Sequence, residues 1–265
     1  MMRPLREFPD IARRALRGVM CDIDDTLTTE GRLTAAAYGG MERLQCAGLR
    51  IIPITGRPAG WCDHIARMWP VDGVVGENGA FYFRYDRSRR VMNRRFVHDR
   101  AARAGHRERL MHIGADIVAA IPGAAIAADQ HYRESDLAID YCEDVERLPA
   151  EAVQRIVSMM QSRGLTAKVS SIHVNGWFGD YDKLAMTKRM LRECFEADPD
   201  RERERCVFIG DSPNDAPMFA YFPYAVGVAN VRDFGAQLSH EPAYVTDRRC
   251  GAGFRECVDF LLAPA

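Results

Sequence analysis

A short apolar segment, residues 19–21, runs directly into three aspartates, Asp22, Asp24 and Asp25. Such a run is typical of a buried parallel strand, and open α/β sheets bind ligands at the carboxyl ends of their strands. Asp22 and Asp24 are two residues apart, so they can point to the same side of an extended chain. Because two carboxylates about 4 Å apart repel each other by roughly 4 kcal/mol at an effective dielectric near 20, this cluster needs a cation, a proton or a chemical role. The alternative is that these residues only cap a turn or the next helix.

The first 83 residues alternate between predicted strands and helices. We predict strands at 19–21, 50–54 and 73–76, separated by helices at 34–49 and 58–69. This order is that of a parallel α/β unit.

The pattern then changes, and residues 84–180, called the insert below, read as a small α+β layer placed within the first domain. Its predicted elements are a helix at 98–121, strands at 124–128 and 137–141, a helix at 151–163 and further strand at 166–177. The α/β pattern returns with a helix at 184–195, strands at 206–209, 225–228 and 243–245, and a helix at 254–262. We predict a charged, solvated loop at 200–205.

Composition excludes several classes of function. The net charge of −1 gives no electrostatic case for binding nucleic acid or an acidic membrane surface, and no apolar run reaches membrane-spanning length. The eight cysteines contain no CxxC pair, which favours free thiols in a reducing compartment. We therefore expect a cytoplasmic location. The oligomeric state is not readable from the sequence.

Three predicted strands end in polar side chains suited to catalysis. They are followed by Asp22 and Asp24, by Thr55, and by Asp211 and Asp215. In a parallel sheet these ends lie along one edge, so we expect the side chains to converge there. Lys183, one of only three lysines in the chain, precedes the helix that leads back to the last of these strands.

Four segments in this order resemble the motifs of the haloacid dehalogenase (HAD) superfamily. They are Asp22-Ile-Asp24-Asp25-Thr-Leu-Thr, Ile54-Thr55-Gly56-Arg57, Lys183, and Gly210-Asp211-Ser-Pro-Asn-Asp215. The insert and the run Glu77-Asn78-Gly79-Ala80 resemble the type IIB branch, which has a C2-type cap and includes sugar phosphatases and phosphomannomutase. The resemblance implies a Rossmann-like α/β core with a parallel sheet, at 1–83 and 181–265, and an α+β cap at 84–180. One departure is Leu184, where family members often have glycine.

Hydrolysis of a phosphate monoester needs a nucleophile, a proton for the leaving alkoxide, and positive charge near the phosphoryl oxygens. Asp22 is the candidate nucleophile, which would form an aspartyl-phosphate. Asp24 is the candidate acid and base, first donating a proton to the leaving group and then accepting one from water. The resemblance assigns the same roles to these two positions.

A hard cation such as Mg²⁺ takes one or two carboxylates together with phosphate and water oxygens. Asp22 and Asp211 are the candidate ligands, and the resemblance implies the backbone carbonyl of Asp24 as a third. Asp215 is a further candidate ligand. The segment from Ser212 to Asp215 is also typical of a helix start, in which Asp215 would have a capping role.

The remaining candidates would bind substrate. Thr55 and Lys183 would contact the transferring phosphoryl group and the nucleophile, although Lys183 could also be a surface lysine, with Lys188 as a fallback. Gly56, Asn78 and Asn214 are candidates for the phosphate region, and Asn78 could equally be an ordinary turn residue. Arg57 could contact substrate or form a core ion pair. In the insert, Arg133, His173 and Asn175 are candidates for reading the leaving group, although polar residues on an outer strand face are the default alternative.

These residues predict a Mg²⁺-dependent phosphatase that acts on a small phosphorylated metabolite, most simply a sugar phosphate. A phosphosugar mutase of the phosphomannomutase type would use the same aspartyl-phosphate. A non-catalytic sugar-phosphate sensor is the third possibility, and the complete set of catalytic positions counts against it.

Overall fold

Strands and helices alternate along the chain much as the apolar segments predict. The computed structural model describes residues 2–264. Its strands are β1 (Arg3–Pro4), β2 (Gly18–Cys21), β3 (Thr28–Thr29), β4 (Arg32–Leu33), β5 (Arg50–Pro53), β6 (Val74–Gly76), β7 (Phe81–Asp86), β8 (Val91–Phe96), β9 (Ala125–Ile126), β10 (Asp136–Asp140), β11 (Thr166–Val169), β12 (His173–Trp177), β13 (Cys206–Gly210), β14 (Val226–Gly227) and β15 (Tyr244–Val245). Its α-helices are α1 (Asp10–Ala15), α2 (Ala35–Cys46), α3 (Ala59–Met68), α4 (Arg100–Ala120), α5 (Ala150–Ser162), α6 (Lys183–Phe195), α7 (Pro199–Glu202), α8 (Ala216–Tyr221) and α9 (Cys250–Leu261).

A parallel sheet forms the centre of the core, with the strand order β1-β15-β14-β13-β2-β5. A parallel bridge between Ile54 and Val75 places β6 beside the end of β5. Both faces of the sheet are buried, because Val19 points toward a layer containing α2, α3 and α9, whereas Met20 points toward α6 and α8. The continuous apolar runs of the central strands follow from this double coverage.

The insert contains an antiparallel sheet in the order β11-β12-β10-β9. One face packs against α4 and α5, where Leu137 and Val174 join Ile117 and Met160 in a separate apolar cluster. Alternate residues of β12 point the other way, toward the core. The predicted fold class, an α/β core with an α+β insert, is confirmed.

The hairpin of β7 and β8 connects the two parts. β7 pairs with β6, and the rings of Phe81, Phe83 and Phe96 pack against one another within the core's apolar cluster. The predicted boundary at residue 84 therefore falls inside a strand that belongs to this hairpin. The division into 1–83 with 181–265 and 84–180 stays a prediction.

Two local expectations are corrected. Residues 200–205, predicted as a loop, continue α7 and a following 3-10 turn, because Asp198 caps this helix by accepting from the Asp200 N–H and Pro199 occupies its first position. β1 was not predicted, since two residues carry no periodicity, yet it pairs in parallel with β15. Across residues 2–264, no helix is long and apolar enough to cross a membrane.

Candidate active site

The carboxyl ends of neighbouring strands bring three aspartates together. Cys21 of β2 lies opposite Ile209 of β13, so Asp22 and Asp211 leave the sheet side by side, and the Asp22 N–H donates to the Ile209 carbonyl. Asp22, Asp211 and Asp215 are buried, and each offers a carboxylate oxygen within 4.8 Å of the others. We call these three residues the strand-end cluster.

Lys183 supplies the cation of this cluster. It is the first residue of α6, whose N-cap is Asp182, and its Nζ lies 2.8 Å from Asp22 Oδ1 and 2.7 Å from Asp215 Oδ1. Burial opposes its charge, but Asp215 and Asp22 outweigh that effect and raise the pKa of Lys183. Lys188, on the same helix, instead pairs with the exposed Asp200 at 2.9 Å.

A glycine sets the position of this lysine. Gly79 has a φ of +105°, and a Cβ there would lie 2.0 Å from the Asp182 carbonyl oxygen. The loop carrying Asn78 therefore packs directly against the start of α6, which places Asn78 and Lys183 on one side of the site.

The strand-end cluster carries more negative than positive charge. Burial, then the charges of Asp215 and Asp24, raise the pKa of Asp22 to about 8, although Lys183 opposes the shift. Burial and its two acidic neighbours also raise the pKa of Asp211 well above its ordinary value. Lys183 contacts two of the three carboxylates, those of Asp22 and Asp215. The oxygens of all three are the hard ligands that Mg²⁺ prefers, so the donor set fits a divalent cation.

Asp215 already uses both of its carboxylate oxygens. Oδ1 accepts from Lys183, whereas Oδ2 accepts from the N–H groups of Asp211 and Ser212 at 3.1 and 3.4 Å. A capping box with Ser212 is present, as the sequence suggests, but residues 213–215 form a 3-10 turn, and α8 begins only at Ala216. Asp215 therefore orients the loop that carries Asp211, and direct ligation of a metal stays a prediction.

Thr55, Gly56, Asn78 and Asn214 lie close together, and Asn78 and Asn214 line a cavity with Lys183. The Arg57 N–H donates to Thr55 Oγ1 at 3.0 Å, and Asn214 Nδ2 donates to Asn78 Oδ1 at 3.3 Å. Asn78 Nδ2 is buried and has no acceptor among residues 2–264, and a Cβ on Gly56 would lie 3.1 Å from it. A buried donor without a partner is costly, so this amide is suited to a ligand oxygen.

Arg57 connects the site to the insert. Its guanidinium donates twice to Asp24 Oδ1, at 2.8 and 2.9 Å, and once to Oδ2, at 3.0 Å. The same group donates to Glu143 Oε1 at 2.6 Å and lies 3.5 Å from Asp129. In this structure Arg57 is thus an ion-pair partner of Asp24, one of the two alternatives left open by the sequence.

The three insert candidates differ in position. Arg133 is buried between Asp129 and Asp136 and donates to the Gly56 carbonyl at 2.8 Å, so it joins the insert to the core. His173 and Asn175 line a cavity of about 10 Å³ together with Asp22, Asp24, Gly56, Arg57, Ser170, Ile172 and Asn214. Such a space holds about one water molecule. The insert is therefore closed over Asp22.

Several contributing residues were not singled out from the sequence. Asp211 accepts from Thr26 Oγ1 at 3.0 Å and from Asn230 Nδ2 at 3.2 Å. Asn230 follows the carboxyl end of β14, so the rule that identified the other strand ends applies to it as well.

Glu77 is fully buried and accepts from the N–H groups of Ala59, Glu134 and Ser135 at 2.9, 2.9 and 2.6 Å. Two of these donors belong to the insert, and no sequence pattern predicts that contact.

Comparison with known proteins finds chains of similar length and structures of similar fold. No protein-family model matches the chain. A curated protein of Saccharolobus solfataricus, named phosphoglycolate phosphatase 1, is 24% identical over 250 residues, which are 92% of this chain and 95% of that protein.

Two solved structures show the same fold. A Thermoplasma acidophilum protein has a TM-score of 0.68 at 18% identity and covers 93% of this chain and 98% of its own. A HAD subclass IIB sugar phosphatase has a TM-score of 0.61 at 13% identity, covering 92% of this chain and 98% of its own. The resemblance predicted from the four motifs is confirmed, and the chain has the fold of the HAD superfamily phosphatases.

Proposed function

We propose that the protein is a Mg²⁺-dependent phosphomonoester hydrolase that acts through an aspartyl-phosphate on Asp22. The observation that carries this proposal is the position of Asp22. Its carboxylate contacts Lys183, lies beside Asp211 and Asp215, and faces the same small cavity as Asp24. A buried carboxylate with a fixed cation is suited to attack phosphorus while the charge that develops there is neutralised.

The residues around Asp22 divide the reaction between them. Asp22 attacks phosphorus, and Asp24 donates a proton to the departing alkoxide and later takes one from the attacking water. Thr55 and the amide nitrogen of Asn78 bind phosphoryl oxygens, while Lys183 orients Asp22 and favours its ionised form. A Mg²⁺ ion held by Asp22, Asp211 and the Asp24 carbonyl would neutralise the remaining phosphoryl charge. Asp215 holds Lys183 and the Asp211 loop in place.

The substrate we propose is a small phosphorylated metabolite, with sugar phosphates as the leading class. The closed insert supports a short leaving group, because His173 and Asn175 reach into the cavity that contains Asp24. A mutase of the phosphomannomutase type would use the same residues but would depend on an added bisphosphate. We retain the cytoplasmic location and the absence of nucleic-acid and membrane partners as predictions.

The test is a phosphate-release screen of the purified protein over sugar phosphates, phosphoglycolate, phosphoglycerates and nucleotides, with and without Mg²⁺. We expect Mg²⁺-dependent release that EDTA abolishes and that Asp22→Asn lowers by about 10⁴-fold. Asp24→Asn should slow release and trap phosphoenzyme. Wild-type turnover in Asp22→Asn would remove this residue from the mechanism, and indifference to EDTA would remove the metal.

A further inference from the structure

Glu143 lies beside the group that must protonate the leaving group. It follows β10 in the insert, and its carboxylate contacts the same guanidinium as Asp24, with Arg57 Nη2 at 2.6 Å and Nη1 at 3.4 Å. His173 Nε2 lies 2.8 Å from Glu143 Oε2. Burial raises the pKa of Glu143, but His173 and Arg57 outweigh that effect and hold it at about 2, so the side chain is ionised.

The leaving group must lie against Asp24, since a proton donor has to lie within hydrogen-bond distance of the departing oxygen. Because the cavity there holds about one water molecule, the insert has to open to admit a substrate. The atoms attached to that oxygen then lie between Asp24 and the residues of the insert that line the cavity. Those residues are Ser170, Ile172, His173 and Asn175, with Glu143 immediately behind His173.

Positive charge in this region is already neutralised. Arg57 contacts Asp24, Glu143 and Asp129, and His173 faces Glu143. Lys168 and Arg147 line two larger cavities, of about 250 and 840 Å³ respectively, and neither lines the cavity that contains Asp24. Among residues 2–264, a negatively charged leaving group beside Asp24 would therefore meet carboxylates and an arginine that is already paired with them.

On the basis of the proposed function, we propose that Glu143 is a specificity-determining residue that favours uncharged, hydroxyl-bearing leaving groups over leaving groups that carry a carboxylate. Its charge repels a second anion on the substrate, while the donors and acceptors of Ser170, His173 and Asn175 suit hydroxyl groups. The protein would thus prefer polyol and sugar phosphates to phosphorylated carboxylic acids such as phosphoglycolate.

The matched substrates are glycerol 3-phosphate and 3-phosphoglycerate, which differ by a CH₂OH group in place of a carboxylate. We expect kcat/KM of the wild-type protein to favour glycerol 3-phosphate by about tenfold or more. Glu143→Gln keeps the side-chain shape and leaves the paired contacts of Arg57 with Asp24 intact. This variant should raise kcat/KM for 3-phosphoglycerate and lower the preference by about tenfold. Glu146→Gln, an exposed position in the same loop, should leave the preference unchanged.

An unchanged preference in Glu143→Gln would overturn the proposal, as would a wild-type preference for 3-phosphoglycerate. If the variant does not fold, the wild-type ratio of kcat/KM for glycerol 3-phosphate to that for 3-phosphoglycerate tests the proposal by itself. Failure of the proposed function is recognised separately, because the wild-type protein would then release no phosphate from p-nitrophenyl phosphate, whose leaving group carries no carboxylate.

Discussion

Two groups of buried carboxylates in this protein are stabilised in different ways. In the strand-end cluster, Lys183 is shared by two carboxylates, and Asp211 has only the neutral donors of Thr26 and Asn230. The second group, called the interface cluster, consists of Glu77, Asp129 and Asp136 around Arg133. There the guanidinium and three backbone N–H groups contact the carboxylates.

The difference in donors separates the strand-end cluster, a candidate catalytic site, from the interface cluster, which joins the insert to the core. Burial raises the pKa of both Asp22 and Glu77 to about 8, so burial alone does not distinguish the two clusters. The donors do. In the interface cluster every carboxylate is contacted by the Arg133 guanidinium or by backbone N–H groups. In the strand-end cluster Asp211 is contacted by the neutral side chains of Thr26 and Asn230, which leaves its charge suited to a bound metal.

Removing the lysine of the strand-end cluster should have the largest effect. Lys183→Met leaves Asp22 and Asp215 buried without a cation, and we expect kcat to fall by about 10³-fold because the nucleophile loses its orienting charge. The matched control is Lys188→Met on the same helix, which should retain full phosphate release. Similar losses in both variants would show that helix disruption, and not the buried charge, is responsible.

Breaking the interface cluster should affect stability before chemistry. Glu77→Ala leaves three backbone N–H groups without their acceptor, and we expect the free energy of unfolding to fall by about 3 kcal/mol. Urea denaturation measures this change. Glu42→Ala, on the exposed side of α2, should change it by less than about 0.5 kcal/mol. A loss below about 1 kcal/mol in Glu77→Ala would argue that this cluster does not hold the insert to the core.

A smaller effect is expected from Asn230, which donates a hydrogen bond to the proposed metal ligand Asp211. Asn230→Ala removes the donor to Asp211 Oδ2 and to the Asp25 carbonyl. Because such supporting hydrogen bonds orient metal ligands, we expect the Mg²⁺ concentration for half-maximal activity to rise by about tenfold. Titration of phosphate release with Mg²⁺ gives this value. An unchanged Mg²⁺ requirement would show that Asn230 does not support metal binding.

The smallest effect should come from an exposed ion pair. Arg43 and Asp259 connect α2 to α9 at 2.5 Å, and about half of each side chain is exposed. Water screens such a pair, so Arg43→Ala should lower the free energy of unfolding by less than about 1 kcal/mol. Thermal denaturation of Arg43→Ala and Glu77→Ala side by side measures both losses of stability. We expect the loss in Glu77→Ala to be the larger, because Glu77 is buried and the ion pair of Arg43 is exposed.

Much of the core was predictable because its signals are local. The run 19–21 and the strand at 206–209 are apolar on both faces, and Thr34 caps α2 by accepting from the Ala37 N–H, as a threonine before an apolar segment favours. Arg57 shows the limit of such signals. Its sequence neighbours do not reveal that its partner Glu143 lies 86 residues away in the insert.

The sequence by itself determined the order of the motifs, the alternation of strands and helices, and which polar residues follow the strand ends. These features depend on periodicity and on the parallel-sheet rule, both of which operate within one element and its neighbours. Only the tertiary structure decided that Arg57 joins Asp24 to Glu143, that Glu77 holds the insert, and that His173 faces the nucleophile. Each of these contacts depends on how the insert docks on the core, and that docking is fixed by charges and backbone donors far apart in the chain.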